Sequence, residues 1–315
     1  MMRTATIFLS FLVCLILPIF AHAKSEKIAA VVNQDVISRS DVNDRMKLII
    51  VSSGLANNPE IRARLSQQVI SSLIDEQIKI QEAQRLELEI SQEEIDSGFA
   101  TIASQNNYKP EEFEQALKQS GINRATMDRQ ITSQILWGKV VQAEVRPDIV
   151  VSDRDIDAAI ERKKADKGKR EFLIAEIFLP IENPNQANDI KQLANRLVGQ
   201  IESGQARFFK VAQEFSKAAG ASNGGDLGWV QQGQMAPEVD QAVRQLNKDQ
   251  VSAPIRSNNG YHILFLRDSR QITEETIPDR EEMMRIIGTQ RLERAQRRYL
   301  KDLEAAAFIE NRVGS

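Results

Sequence analysis

The chain has 315 residues, enough for two or three domains, and its 42% apolar and 27% charged content is ordinary for a soluble globular protein. The formal net charge of −3 gives no basic footprint, so nucleic acid is not an expected partner. Composition and charge exclude neither an enzyme nor a protein-binding protein.

The amino terminus has the pattern of a signal peptide over residues 1–23. Arg3 is the only charged residue before Lys24, residues 7–20 are almost wholly apolar, and Ala21-His22-Ala23 has the small-x-small form of a cleavage site. We expect cleavage after Ala23 and an exported, soluble protein of the periplasm that does not insert into the membrane. An uncleaved anchor is the alternative, although the apolar run is shorter than the ~20 residues that span a bilayer.

Cleavage would remove Cys14 and His22, which would leave no cysteine and make His262 the only histidine of the mature chain. Such a chain forms no disulfide and has no Cys-based or multi-His metal site. We therefore expect no metal and no cofactor. A lone histidine on a strand is commonly a packing or hydrogen-bonding residue, and this interpretation stays open beside a functional one.

The first part of the mature chain predicts a hairpin followed by helices. Residues 27–38 are typical of two short strands around an Asn-Gln-Asp turn. Helix starts are indicated by capping residues and early prolines, which are Asn58-Pro59, Ser91 with Glu94, Pro110, and Ser152 with Asp155. The first of these helices has an apolar face wide enough for a core, formed by Ile61, Leu65, Val69, Leu73 and Ile78. Arg146-Pro147 ends the last long helix of this group, and the basic stretch 163–170 is interpreted as a solvated linker.

The composition changes at Arg170, and the next 100 residues or so predict a compact α+β domain. Three aromatic residues of its second helix are expected to point inward: Phe208, Phe209 and Phe215. The predicted elements are, in order, a strand at 172–179, helices at 185–203 and 206–219, a Gly-Gly-Asp-Leu-Gly-Trp turn and strand at 224–229, a helix at 237–246, and strands at 251–255 and 261–266.

After Pro278 the chain returns to helix. Its apolar stripe consists of Leu292, Ala295, Tyr299 and Leu303. A single helix with such a stripe must bury it against another element, and we expect it to pack on the amino-terminal helices. Residues 307–309 are expected to pair with the opening hairpin.

The segment from Phe208 to Leu266 resembles a parvulin-type peptidyl-prolyl isomerase domain. The resemblance rests on Phe-Ser at 215–216, Gly-Gly-Asp-Leu-Gly-Trp at 224–229, Gly-Gln-Met at 233–235 and Gly-Tyr-His-Ile-Leu at 260–264. The flanking regions are similar to the SurA family of periplasmic chaperones in Lys-Ile-Ala-Ala-Val-Val-Asn at 27–33, Gln-Asn-Asn at 105–107 and Ala-Ala-Phe-Ile at 306–309. SurA proteins usually have two parvulin domains, and this chain has room for one.

These resemblances imply an α+β protein. A mainly helical SurA-type amino-terminal domain at 24–169 would be completed by a carboxy-terminal helix at 270–315. A parvulin (FKBP-like) domain of βαααβαββ order at 170–269 would be inserted between them.

The parvulin resemblance also implies a site on the sheet. His262 corresponds to the last-strand histidine, and the polar and pocket positions are filled by Ser257, Gln234, Leu227 and Met235. Three positions depart from the family pattern: Glu176 replaces the first-strand histidine, Ala218 replaces a Cys or Asp, and Val239 replaces a pocket Phe. The implied catalytic residues are His262, Glu176 and Ser257, and the implied substrate-binding residues are Leu227, Gln234, Met235 and Val239. Asp226 is interpreted as a turn carboxylate that accepts backbone N–H groups.

Two functions follow from the resemblances. The first is an exported, ATP-independent chaperone that holds unfolded outer-membrane β-barrel proteins and proline-containing peptides, with weak or absent isomerase activity. The second is an efficient peptidyl-prolyl isomerase whose helical parts recruit substrate. The departures at the site leave its catalytic activity open.

Overall fold

The protein is described by a computed structural model over residues 27–52, 57, 59–181, 183–218 and 220–312. The predicted signal peptide and Asn58 lie outside these residues. Across the described part of the chain, no helix combines the length and the apolar character needed to cross a membrane.

The amino-terminal region is a short hairpin followed by six α-helices in its described part. Its elements are β1 (Ile28–Val32), β2 (Asp35–Ser38), α1 (Arg39–Ser52), α2 (Pro59–Arg85), α3 (Gln92–Gln105), α4 (Pro110–Gln119), α5 (Arg124–Val140) and α6 (Asp153–Ala165). A π-helical turn and a 3-10 turn join α5 to α6 and end at Asp148, next to Pro147 as expected. The capping boxes predicted at Ser91 and Ser152 are both confirmed.

The second region is an antiparallel sheet with helices on its two faces. Its elements are β3 (Arg170–Pro180), α7 (Ala187–Glu202), α8 (Phe208–Phe215), β4 (Asp226–Gln231), α9 (Pro237–Val243), β5 (Gln250–Val251), β6 (Ile255–Ser257) and β7 (Gly260–Gln271). The strand order is β4-β3-β7-β5, and β6 also pairs with β7. The third helix of the expected βαααβαββ order is the 3-10 turn Ala221–Asn223.

The carboxy-terminal segment returns to the amino-terminal region, as predicted. It consists of α10 (Arg280–Ala306) and β8 (Ile309–Asn311), and β8 pairs with β1 to give a sheet of order β2-β1-β8. The Tyr299 hydroxyl of α10 donates a hydrogen bond to the Glu82 carboxylate of α2, and the Tyr299 ring stacks on Trp137 at a centroid distance of 6.1 Å. The chain therefore closes the helical region with its last 33 described residues.

Two apolar clusters cover the two faces of the β3–β7 pair. One face contributes Ala175, Ile177 and Ile263 to a cluster that also contains residues of α1, α2, α7 and α8. The other face packs against α9 through six buried residues: Phe172, Ile174, Val239, Val243, Leu264 and Leu266. Side chains alternate along a strand, so the neighbours of the residues in the first cluster point to the opposite face, toward α9.

The prediction for the second helix of this region was wrong in two details. The helix ends at Phe215 because Ser216 takes an extended conformation, and the Ser216 hydroxyl accepts hydrogen bonds from the backbone N–H groups of Phe178 and Ala218. Phe209 is 40% exposed instead of inward. The buried positions 208, 211, 212 and 215 follow the three- and four-residue spacing of one helical face, and Phe209 lies off that face.

The basic stretch 163–170 is also more structured than a linker. Helix α6 continues to Ala165, and β3 begins at Arg170. Lys163 forms an ion pair with the buried carboxylate of Glu171, which also accepts a hydrogen bond from Arg270 at 2.6 Å. A buried carboxylate requires such partners, so the positive charge has a structural role at this junction.

Candidate functional site

The register of β3 and β7 brings a carboxylate and the lone histidine together. Glu176 pairs with Leu264, and Phe178 pairs with His262, so all four side chains share the face covered by α9. The Oε1 atom of Glu176 lies 2.6 Å from Nδ1 of His262. The Oγ atom of Ser257, at the end of β6, lies 2.7 Å from Nε2 of His262. The imidazole is therefore held at both nitrogens.

The partners of His262 define its protonation chemistry. An ionised carboxylate can only accept a hydrogen bond, so Nδ1 carries a proton toward Glu176. In the neutral ring, Nε2 then accepts the hydroxyl proton of Ser257. The side chains of His262 and Glu176 are 15% and 16% exposed, so the pair lies near the surface and within reach of a ligand.

Three predicted pocket residues belong to the apolar cluster on the same face of the sheet or pack against it. Leu227 and Met235 are half-buried and pack against the cluster under α9. Val239 is 3% exposed and belongs to the cluster itself. Leu227 and Met235 thus keep part of their apolar surface exposed, and both pack against the cluster that contains Val239.

Comparisons with known proteins find two family models in this chain. The SurA N-terminal domain matches residues 25–141, and the PPIC-type PPIase domain matches residues 177–268. The chain therefore contains a SurA N-terminal domain and a PPIC-type PPIase domain.

Curated relatives match across both of these domains. The chaperone SurA of Pectobacterium atrosepticum is 32% identical over 251 residues, which cover 78% of this chain and 58% of that protein. The SurA of Escherichia coli O6:H1 gives the same identity and coverage. The chain thus spans little more than half the length of the curated relatives it matches.

A similarity to solved structures is also found. One solved structure, described as belonging to two structurally related SurA-like chaperones of Campylobacter jejuni, is 14% identical and covers 91% of this chain and 99% of that chain, with a TM-score of 0.40.

Gln234 and Ala218, the other two positions of the parvulin pattern, form hydrogen bonds with residues other than His262. Gln234 has an exposed side chain, and its Oε1 accepts a 3.4 Å hydrogen bond from the backbone N–H of Gln231, within the turn that follows β4. Ala218 has no polar side chain; its backbone N–H donates to the Ser216 hydroxyl and its carbonyl accepts from the N–H of Ala221. In the described part of the chain, no three His, Cys, Asp or Glu side chains come together as metal ligands would.

Phe178 is a site residue that the sequence interpretation missed. Its ring lies 4.7 Å from the imidazole of His262, centroid to centroid, with an interplanar angle of 31°. The half-buried ring borders the polar group on the side away from the cluster of Ile174 and Leu264. The available signal was its position two residues after Glu176, since i and i+2 share a face of a strand.

The glycine turn before β4 fixes the backbone behind Glu176. The carbonyl of Gly225 accepts a 2.8 Å hydrogen bond from the N–H of Glu176, and a Cβ at Gly225 would lie 2.4 Å from the Glu176 carbonyl oxygen. Asp226 has the predicted role in this turn, because its Oδ1 accepts a 2.9 Å hydrogen bond from the N–H of Gly228. Its Oδ2 also pairs with Arg267 at 2.8 Å.

Proposed function

We propose that this SurA-like protein is an exported, ATP-independent chaperone of the periplasm that holds unfolded outer-membrane β-barrel proteins. In this proposal the helical domain at 24–169 and the terminal segment at 270–315 form the chaperone body. The parvulin-type domain at 170–269 binds proline-containing segments of the same clients.

The observation that carries the proposal is the incomplete cover of α10. This helix has 27 residues, of which Met283 alone is buried. Apolar side chains along it stay half-exposed, as do Leu300 and Leu303 where they pack on the amino-terminal cluster. The next residue past the helix end with a large apolar side chain, Phe308, is 61% exposed. Such a surface can accept apolar segments without displacing a packed core.

The chemistry of the proposed clients fits this surface. Strands of a β-barrel alternate apolar and polar residues, and they aggregate through exposed edges and apolar faces until they insert. A protein that covers those faces reversibly needs no energy source, because binding and release depend only on competing contacts. The curated relatives are named chaperones, which supports the same class of function for this chain.

The test is the aggregation of a urea-unfolded porin after dilution, measured by light scattering with and without the protein. We expect suppression at a stoichiometric ratio. The double variant Met284→Ser with Phe308→Ser should suppress less, because both side chains are exposed on the terminal segment. Tyr108→Ser, an exposed aromatic on the α3–α4 connection, is the matched control. No suppression by the wild-type protein would reject the chaperone proposal.

For the parvulin-type domain we propose peptide binding with at most weak isomerase activity. Rotation about a peptide bond has a barrier of roughly 18–20 kcal/mol, and an enzyme lowers it by favouring the twisted amide over the planar one. An apolar wall at Leu227 and Met235 can hold a proline ring. The His262 imidazole is already bonded to Glu176 and Ser257, so it is less free to respond to the rotating amide than an imidazole pair would be.

A further inference from the structure

Helix α8 connects the parvulin-type domain to the helical domain through polar contacts. The Ser52 hydroxyl of α1 donates to Oε1 of Glu214 at 2.7 Å, and the side-chain amide of Gln68 donates to the Glu214 carbonyl at 2.8 Å. Arg207 donates to the carbonyl of Gln105 at 3.3 Å, and Lys210 donates to the side chain of Asn106. Glu214 thus receives hydrogen bonds from two helices of the other domain.

The carboxyl group of Glu214 is incompletely paired in this contact. Its Oε2 atom is buried and has no hydrogen-bond partner, whereas Oε1 has the Ser52 hydroxyl. A buried carboxylate oxygen without a partner is costly when charged, and neutralising the group removes most of that cost. Burial accordingly raises the pKa of Glu214 to about 7, against the opposing effects of the Ser52 hydrogen bond and the charges of Lys210 and Arg45.

The charged groups around Glu214 are largely committed elsewhere. Arg45 of α1 forms a buried ion pair with Glu76 of α2, with an Nη1 to Oε1 distance of 2.5 Å. Lys210 is bonded to Asn106, and burial lowers its pKa. Farther along the same contact, Asp75 of α2 is influenced by the charges of Lys217, which follows α8, and Glu304 of α10.

We propose that Glu214 makes the docking of the parvulin-type domain on the helical domain depend on pH, with the neutral carboxyl favouring the docked arrangement and its ionisation loosening it. A carboxyl whose pKa is higher when docked favours docking at low pH. The contribution of Glu214 to docking is complete below pH 4.5, the ordinary pKa of its carboxyl group. This contribution is lost as the pH rises toward about 7. The difference between the pKa of the docked carboxyl and its ordinary pKa corresponds to a change of roughly two orders of magnitude in the docking constant.

Two neighbours modify this dependence in predictable directions. Burial also raises the pKa of Asp75, to about 6, and any part of that burial that docking causes acts with the same sign as the burial of Glu214. The lowered pKa of Lys210 acts with the opposite sign, because a lysine that is easier to neutralise when docked favours docking as the pH rises. A substitution at Glu214 removes the contribution of this carboxyl together with its coupling to Lys210.

Undocking would change the apolar surface of the molecule. One continuous cluster contains Ile49 and Val69 of the helical domain together with Val211 and Phe215 of α8. Separation of α8 from α1 and α2 would expose part of that cluster to solvent. This pH-dependent docking of the two domains does not depend on the proposed chaperone function.

The experiment measures energy transfer between two dyes on the full mature chain from about pH 5 to about pH 8. The labels are placed at Gln119→Cys and Lys191→Cys, two exposed positions on α4 and α7. We expect transfer to fall as the pH rises in the wild-type background and to stay high with Glu214→Gln, which keeps the shape of the side chain without its charge. Glu202→Gln, at an exposed position of α7, is the matched control and should follow the wild type.

Two results would overturn the inference: a transfer signal in the wild type that does not change with pH, or a Glu214→Gln variant that changes as much as the wild type. Ser52→Ala provides a second measurement if Glu214→Gln unfolds. Removing the hydroxyl takes away a hydrogen bond that favours the charged carboxyl, so the fall in transfer should be larger. An unchanged or smaller fall would count against the role of Glu214.

Discussion

Glu176 and His262 lie diagonally across strands β3 and β7, with 2.6 Å between Oε1 and Nδ1. The parvulin pattern places a second imidazole at the position of Glu176. A carboxylate there orients the ring and fixes a proton on Nδ1, while Ser257 holds Nε2. The site is thus a carboxylate–imidazole–hydroxyl chain on the sheet face that also carries the α9 cluster.

The first prediction concerns the activity of this chain of groups. In a protease-coupled assay with a proline peptide, the wild type should be weakly active and His262→Ala should reduce the rate at least about tenfold, equivalent to ~1.4 kcal/mol. Ser257→Ala should have a smaller effect, because His262 retains its bond to Glu176. Equal rates near the uncatalysed background for the wild type and His262→Ala would reject catalysis and leave peptide binding as the role of the site.

The second prediction concerns the glycine turn behind Glu176. Gly225 has φ +84°, and a Cβ there would lie 2.4 Å from the Glu176 carbonyl oxygen. Gly225→Ala should destabilise the parvulin-type domain by more than about 2 kcal/mol, because positive φ and a backbone clash combine. Gly228→Ala has φ +66° with open space around the new Cβ, so it should cost only about 1 kcal/mol.

Urea denaturation of both glycine variants, followed by tryptophan fluorescence, gives the comparison. Trp229 lies in β4 directly after the turn and Trp137 lies in α5, so single Trp→Phe backgrounds separate the two domains. Equal losses of stability in Gly225→Ala and Gly228→Ala would show that the close approach to Glu176 is unimportant.

The third prediction concerns the return of the terminal helix to α2. Glu82 has a side chain 4% exposed and is bonded by both Arg85 and Tyr299. The hydrogen bonds from Arg85 and Tyr299 together lower the pKa of Glu82. Tyr299→Phe removes one donor to a buried carboxylate and should cost about 1.5–3 kcal/mol in the free energy of unfolding.

The control for Tyr299→Phe is Tyr108→Phe, a 47% exposed ring that should change stability by less than about 0.5 kcal/mol. Thermal unfolding at a fixed pH measures both. If the two variants unfold at the same temperature, the Glu82 contact does not anchor α10.

The fourth prediction concerns pH and the Asp75 carboxyl on α2. Burial raises its pKa from 3.8 to about 6, and the nearby charge of Lys217 opposes this. A carboxyl with a raised pKa favours the folded state at low pH, and that contribution is lost as the pH rises through about 6. Asp75→Asn should therefore stabilise the protein by roughly 1–3 kcal/mol near pH 7.5 and by much less near pH 4.

Denaturant unfolding of Asp75→Asn and the wild type at the two pH values tests this sign. The exposed carboxyl of Glu111 at the start of α4 provides the control variant Glu111→Gln, for which no pH-dependent gain is expected. A gain in Asp75→Asn that is larger at low pH would contradict the prediction.

Local signals were sufficient for much of the fold. Capping boxes at Ser91 and Ser152, the glycine turn before β4 and the hairpin at 27–38 all lie where their sequence patterns placed them. These features depend on hydrogen bonds and dihedral angles within a few residues, which a sequence records directly. The packing of the terminal helix on the amino-terminal helices was also predicted from a local feature, because its apolar stripe has to be buried against another element.

The candidate site needed more than local signals. The motif and the family pattern marked His262, Ser257 and Glu176, yet residues 176 and 262 are 86 positions apart and meet only through the β3–β7 register. A bulge between Leu173 and Ile174 shifts that register. Its position depends on the packing of both sheet faces, so no run of residues encodes it alone. The contact of the Phe178 ring with the His262 imidazole depends on the same register.

His262 and its motif could be recognised from the sequence alone. A glycine turn and a histidine within a strand are short local patterns, and each residue of them can be compared with the family pattern. The sequence alone did not show the hydrogen bonds of the two His262 nitrogens or the Phe178 ring beside the imidazole. Nor did it show the buried, half-paired carboxyl of Glu214, since the burial of a group depends on a domain contact between residues 52 and 214. Desolvation and cross-strand distance are properties of the assembled fold, and they exist only once distant segments have packed together.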